Sequence, residues 1–230
     1  MFRNNILKSL APAELAELLP HFRETTLGVG QVLCDSGEMP THVYFSSTAV
    51  ASVVTLLEDG RAYEVSSIGY EGVANLFPTL TGIAPQTRTF VQIAGTAFRL
   101  PGAVLRASVE ARPLLMRHFL AYLQINAAQS ERTIACNAAH PLSSRLARWL
   151  LISNDRLNVP VMALTQDYMC VMAAALRSSI SQAAGAFKRD GLITYSRGKV
   201  EILDRPGLER RACACYRHDK EDLGELLALT

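Results

Sequence analysis

An α+β fold is predicted, with short strands first, a long helix in the middle, and short helices closed by a hairpin at the end. Three observations carry it. Residues 30–69 set short β-branched and aromatic runs between Gly, Pro and Asp, and a second such run fills 87–101. Residues 111–136 show apolar spacing in alternating three- and four-residue steps, the seam spacing of long packed helices. Residues 164–204 read as helix, turn, helix and hairpin.

Taken in order, "APAELAELLPHF" spaces Leu15, Leu18 and Leu19 as one face of a short N-terminal helix. Asp59-Gly60, between "VVTLL" and "AYEVSSI", is a tight-hairpin signal. The second strand run follows the Gly/Pro-rich "PTLTGIAPQ". Many short strands at this spacing predict a β-sandwich or jelly roll over residues 1–110.

The long helix, expected over 111–138, carries two stripes. Leu115, Phe119, Tyr122, Asn126, Gln129 and Thr133 form one; Met116, Leu120, Leu123, Ala127 and Ile134 form the other. A helix with one buried face needs one stripe, so two predict packing on the chain's own strands on one side and on a second copy on the other. The first stripe is assigned to the homodimer contact, with Asn126 and Gln129 fixing register. Pro141 then opens another helix whose apolar face is Leu142, Leu146, Trp149 and Leu150.

Thr165 caps two helical turns, a break falls near residues 174–176, and a second helix runs to the stop signal Gly191. Two short helices joined this tightly cross steeply and need small or moderate apolar residues between them. Met169, Ala173, Ala175, Ile180 and Ala183 fit that need, with the small Cys170 at the closest approach. Left facing outward are Arg177, Ser178, Ser179 and Gln182. Arginine pairs with guanine O6/N7 and glutamine with adenine N6/N7, while hydroxyls and helix N-termini suit phosphate oxygens. The hairpin "LITYSRGKVEIL" forms a wing that brings Arg197 and Lys199 to the backbone, and Thr165 and Lys188 complete the expected DNA-contact set. Ala174 stands where the turn wants a positive φ, which glycine adopts at lower cost. Residues 139–217 are therefore expected to be a winged helix-turn-helix domain.

Charge is distributed accordingly. The formal net charge is +2, yet residues 1–110 hold seven Arg/Lys against ten Asp/Glu and residues 177–217 nine against four. A basic C-terminal surface of this kind suits a polyanion. Residues 218–230 form an acidic tail with one Lys against four acids. No apolar run reaches membrane-spanning length and the start has no leader-like stretch, so a cytoplasmic protein with no membrane partner is expected. The five scattered cysteines fit a reducing compartment.

The motifs "HVYFSSTAVASVVTLLEDGRAYEV", "IGYEGVANLF", "TAFRLP", "ACNAAHPLSSRLARWLL" and "LTQDYMCVM…GAFKRDGLI" are similar to those of the cyclic-AMP receptor / fumarate–nitrate regulator (Crp/Fnr) family, over about residues 5 to 217. The resemblance implies a cyclic-nucleotide-binding-like jelly roll, a dimerisation helix and a winged helix-turn-helix. It also implies transcription regulation, double-stranded DNA and a second copy as partners, and RNA polymerase as a further one. On it, Arg177, Ser178 and Gln182 fall at base-reading positions. Ser178 and Gln182 depart from the glutamate and arginine of the best-known member, so a different operator is expected.

The family's nucleotide cradle is present in outline as Gly69, Glu71, Gly72, Arg88 and Thr89. Tyr70 splits Gly from Glu, and Arg88 lies seventeen positions beyond Glu71, more than in nucleotide-binding members. No cofactor is firmly expected; cyclic AMP is a doubtful effector, behind another small molecule or none. No metal is expected either. Iron–sulfur chemistry needs clustered thiolates, and zinc through Cys213, Cys215 and His218 has tighter spacing than usual, so structural cysteines are preferred. Haem on His21, His42 or His118 would rest on a lone histidine. A dioxygenase would need paired histidines, and the strand region offers only His21 and His42. An enzyme is not expected. The alternative is a nucleotide-gated interaction module that does not read DNA.

Overall fold

The computed structural model describes residues 2–157 and 159–228; the last two residues of the expected acidic tail lie outside them. Helices α1 (Asn5–Ser9) and α2 (Pro12–Leu18) precede the strands. The short α1 was not foreseen. It is held by Asn4, whose side-chain oxygen accepts from the Leu7 N–H and whose amide donates to the Ser46 and Gly72 carbonyls at 3.0 and 2.8 Å.

The strands are β1 (Arg23–Leu27), β2 (Val32–Cys34), β3 (His42–Ser46), β4 (Val50–Leu56), β5 (Ala62–Ile68), β6 (Val73–Ala74), β7 (Arg88–Ile93) and β8 (Gly95–Pro101). They form two antiparallel sheets in the orders β1-β8-β3-β6 and β2-β7-β4-β5, the expected jelly roll. The β4–β5 hairpin turns at Asp59-Gly60, with Gly60 at φ 81°. Inside the Gly/Pro-rich stretch a short helix, α3 (Leu76–Thr81), ends at Gly82, whose N–H donates to the Pro78 carbonyl.

The long helical region is two helices, α4 (Gly102–Ala111) and α5 (Pro113–Ala139). Arg112 between them is extended, because a residue preceding proline is pushed out of the helical region. The face of α5 that meets the jelly roll corrects the expectation for the dimer. Leu115 and Phe119 are 0% exposed and pack with Phe45, Leu100 and Leu105; Tyr122 and Thr133 are buried too. Asn126 donates to the Ser66 hydroxyl of β5, and the Gln129 carbonyl accepts from Thr133 Oγ1. That stripe is used within the chain, since large aromatic and aliphatic groups gain about 1.5–3 kcal/mol each by burial and the sandwich is the nearest apolar surface. Of the second stripe, Leu120 and Ile134 stay outside, 55% and 64% exposed, whereas Leu123 is buried with the first stripe and Met116 packs against it.

The C-terminal region comprises α6 (Leu142–Leu157), β9 (Val161–Ala163), α7 (Gln166–Ala173), α8 (Arg177–Arg189), β10 (Ile193–Ser196), β11 (Lys199–Ile202), α9 (Arg205–Arg211) and α10 (Cys215–Ala228). The wing is a three-stranded sheet, β10-β11-β9. Helix α6 is buried well beyond one face: Leu146, Leu150 and Leu151 join the core of α7 and α8, and Arg148 is 1% exposed. Arg148 Nε donates to Asp219 at 2.7 Å, and Arg132 of α5 donates to Asp219 and Asp222 at 2.9 and 2.6 Å. The acidic charges at 219 and 222 thus neutralise arginines of α5 and α6.

The two halves share their packing. Val50 and Ile93 of the sandwich enter the core of the C-terminal helices. Phe90 of β7 stacks on Tyr168 of α7 at 6.1 Å, and Arg156 of α6 pairs with the buried Glu71 at 2.8 Å.

Candidate nucleic-acid interface

The site begins at Thr165, whose hydroxyl accepts from the Tyr168 N–H and starts α7. The helix stops at Ala174, at φ 48° and ψ 54° in the left-handed region, where the Cβ adds about 1 kcal/mol of strain. Leu176 is extended, and α8 starts at Arg177. Met169, Ala173, Ile180, Ala184 and Phe187 are buried between the two helices and α6. Ala175 and Ala183, expected inward, are only half-buried, and Ala184 and Phe187 take inward positions beside Ile180.

With those positions turned inward, Arg177, Ser178, Ser181, Gln182 and Lys188 are exposed, while Ser179 is half-buried beside Ile180. Arg177 reaches back to α7, with Nη1 donating to Asp167 at 2.7 Å and Nε to the Gln166 side-chain oxygen at 3.2 Å. The Gln166 amide in turn donates to Ser181 Oγ at 3.1 Å. Sequence reasoning missed Gln166, Asp167 and Ser181 as members of this face; their place at the start of the preceding helix was the available signal. The Arg177–Asp167 pair is more than half exposed on both sides. Such pairs are worth about 0–1 kcal/mol, so a bidentate acceptor such as a guanine edge can displace Asp167. The first turn of α8 contains no acid, and its free N–H groups present the positive end of the helix dipole.

In the wing, Arg197 and Gly198 take φ values of 50° and 73° and turn β10 into β11. Arg197 and Lys199 are exposed at the tip. The Leu164 N–H donates to the Gly198 carbonyl at 2.8 Å, and β9 pairs with β11, so the wing tip is fixed beside Thr165. Cap, recognition face and wing therefore form one surface, and no described helix is long and apolar enough to cross a membrane.

Residues 144–211 match the family model for Crp-like helix-turn-helix domains. The match covers the recognition helix and the wing, so this part of the chain is a Crp-like helix-turn-helix segment. A transcriptional regulator, SdrP of Thermus thermophilus, is 26% identical over 106 residues, which cover 44% of this chain. The chain spans about half the length of this curated relative, 52%. Among solved structures, FixK2 of Bradyrhizobium japonicum is similar with a TM-score of 0.73 at 17% identity, over 84% of this chain and 98% of its own. A CRP-family transcriptional regulator of Thermus thermophilus matches with a TM-score of 0.66 at 21% identity, over 82% of this chain and 96% of its own. These two likenesses establish the fold.

The expected nucleotide cradle does not converge. Glu71 accepts from the Gly69 N–H at 2.9 Å and from Arg156, so its charge is neutralised by α6. Gly72 lies against the Tyr122 ring, with no room for a Cβ. Arg88 is held bidentately by Asp35, both bonds 2.9 Å. Of the five residues only Thr89 lines the jelly-roll cavity, a space of about 300 Å³ between β4, β5, the α3 segment and α5. Its described lining mixes apolar groups with neutral polar ones, among them Ser66, Asn75, Gln86, Thr89 and Asn126, and holds no charged side chain. A cyclic phosphate would meet no cation there, so the residues present do not fit a cyclic nucleotide. The carboxylate and guanidinium expected to hold one are each closer to a partner of opposite charge.

Beside the expectation of no metal stands a cluster of possible ligands that spacing along the chain did not show. Cys136, His140, Cys213 and Cys215 come together with all four donor atoms within 4.8 Å of one another. His218, the histidine considered with the cysteines from sequence, instead faces Glu221 at 3.0 Å.

Proposed function

We propose that the protein is a homodimeric DNA-binding transcription regulator that reads a two-fold symmetric site with the exposed face of α8. The observation that carries this is the division of α8 into a buried side, Ile180, Ala184 and Phe187, and a polar outer side headed by Arg177, Ser178 and Gln182. Arg177 and Gln182 supply base contacts, and Thr165, Ser178, Ser179, Lys188, Arg197 and Lys199 phosphate contacts. An interaction module that ignores DNA has no use for this acid-free helix start beside a basic wing.

The dimer seam is assigned to the outer stripe of α5, where Leu120, Ala127 and Ile134 recur at seven-residue spacing. Two copies joined there would set the reading heads about 34 Å apart, one helical turn of DNA. RNA polymerase is the proposed protein partner on the strength of the family alone. The effector is a small, largely uncharged molecule in the jelly-roll cavity. Thr89 faces that cavity while its neighbour Phe90, on the opposite side of β7, stacks on Tyr168 of α7. Occupancy can thereby bias the pose of the reading head, provided the ligand favours one pose.

The test is anisotropy titration of the full chain against duplexes selected from a random pool. Specific retention falling steeply with salt is expected. Arg177→Ala should lose about tenfold or more on the selected duplex and little on random DNA. Lys199→Ala should weaken both alike and lower the salt slope by about 1. Absence of duplex binding at low salt, or an Arg177→Ala variant as selective as the parent, would refute the reading.

A further inference from the structure

The four clustered donors come from two places far apart in the chain. Cys136 lies in the last turn of α5 and His140 is its C-cap, four residues on, so both project from one side of the helix end. Cys213, in the link after α9, and Cys215, the first residue of α10, flank one residue just beyond the segment matched to the Crp-like domain. Cys136 Sγ lies 3.5 Å from Cys213 Sγ, and Cys215 Sγ lies 3.7 Å from His140 Nδ1. Cys136 is 0% exposed, Cys215 is buried and the other two are half-buried.

We infer that these residues form a closed Cys3His site for a single zinc ion. A tetrahedral ion with zinc–sulfur bonds of about 2.3 Å holds its donor atoms about 3.8 Å apart, the scale of the two separations given above. An iron–sulfur cluster with two or more metals fits poorly, because its bridging sulfides and metal–metal spacing push the outer ligand pairs apart. A disulfide between Cys136 and Cys213 would account for two of the four and leave Cys215 and His140 gathered for no reason. Four protein donors leave no open position, which is the signature of a structural zinc site.

The surroundings favour the charge of such a site. Three thiolates, a neutral imidazole and a divalent ion sum to one negative charge, and the three thiol protons go to solvent on binding. Arg148, buried on α6, is close enough to act electrostatically on Cys136 and Cys215. Its Nε and Nη2 donate to Asp219 and Thr133, while Nη1 has no hydrogen-bond partner among the described residues. A buried guanidinium fixed beyond the ligands eases the gathering of thiolates there, even though Asp219 also pairs with it. The ion would pin the end of α5 to the α9–α10 link and so close the C-terminal region onto the long helix. This assignment is independent of DNA reading.

The test uses the full chain purified in reducing buffer. Elemental analysis should find about one zinc per chain in the parent and in Cys34→Ser, and less than a tenth of that in the Cys213→Ser/Cys215→Ser double variant. Because the double variant can misfold, the deciding measurement is on the parent loaded with cobalt(II). Intense visible bands of a tetrahedral ion and a near-ultraviolet thiolate-to-cobalt charge-transfer band are expected. In His140→Cys the charge-transfer band should grow, as a fourth thiolate replaces the imidazole. A reduced, folded parent that takes up no zinc from micromolar solution overturns the inference, as does a weak octahedral cobalt spectrum without charge transfer.

Discussion

Glu64 offers a stability measurement that a neutral isostere isolates. It sits on β5, 3% exposed, with Oε2 accepting from the Ser52 hydroxyl and Oε1 without a hydrogen-bond partner among the described residues. Burial pushes its carboxyl up from 4.5 to about 7; the Ser52 bond and the charges of Arg156 and Arg148 act in the opposite sense without overcoming it. The folded state therefore binds a proton that the unfolded state releases between these values. That contribution is fully present below pH 4.5, and it is lost as pH rises through about 7. At 1.36 kcal/mol per unit the full effect is about 3 kcal/mol, of which about 1 kcal/mol disappears between pH 6 and pH 8. Glu64→Gln keeps the shape and the Ser52 contact but cannot ionise. Its stability relative to the parent should rise by about 1 kcal/mol from pH 6 to pH 8, or about 2–4 °C in melting temperature for a chain of this size. Paired thermal melts at the two pH values measure this directly. A difference between parent and variant that is the same at both pH values would refute the argument that burial governs this carboxyl.

Three further outcomes are expected. Ala174→Gly removes the strain at φ 48° and should stabilise the chain by up to about 1 kcal/mol, read as a raised melting temperature; no gain would mean the turn relaxes by other means. Arg156→Met leaves Glu71 without its cation in a largely buried position and should cost about 3–5 kcal/mol in denaturant titration; the double variant with Glu71→Gln should recover part of that loss. Ile134→Glu, at a position 64% exposed within one chain, should leave monomer stability nearly unchanged yet shift sedimentation from dimer toward monomer, whereas an unchanged dimer would remove α5 as the seam.

Much of the fold was legible because local chemistry dictates it. Thr165 can cap, Asp59-Gly60 can turn a hairpin, and Ala174 falls between two helical patterns at the one place where the chain must reverse. The alternation along α8 separates Arg177 and Gln182 from Ile180 without reference to any other element. What failed required knowledge of which surfaces meet. Spacing along α5 announces two faces, but only the sandwich decides that Leu115 and Phe119 go beneath it and Ile134 stays outside. Glu71 and Arg88 are of the kind a nucleotide site needs, yet each has an opposite charge nearer in space, from α6 and from Asp35. The cysteine cluster was invisible for a related reason. Its halves are separated by more than seventy residues, and His218, the histidine nearest Cys215 in sequence, points at Glu221.

The burial of Arg148 against Asp219 bears on how this molecule can be divided. The segment that matches the Crp-like domain ends at 211, and a cut there would strip the counter-ion from a guanidinium with almost no access to water. A fragment ending at that point, or a chimera grafted at it, inherits an orphaned cation in its interior. The unit that can be transplanted intact runs on through α10 and includes the end of α5, so the modular boundary of this protein lies well beyond its motif.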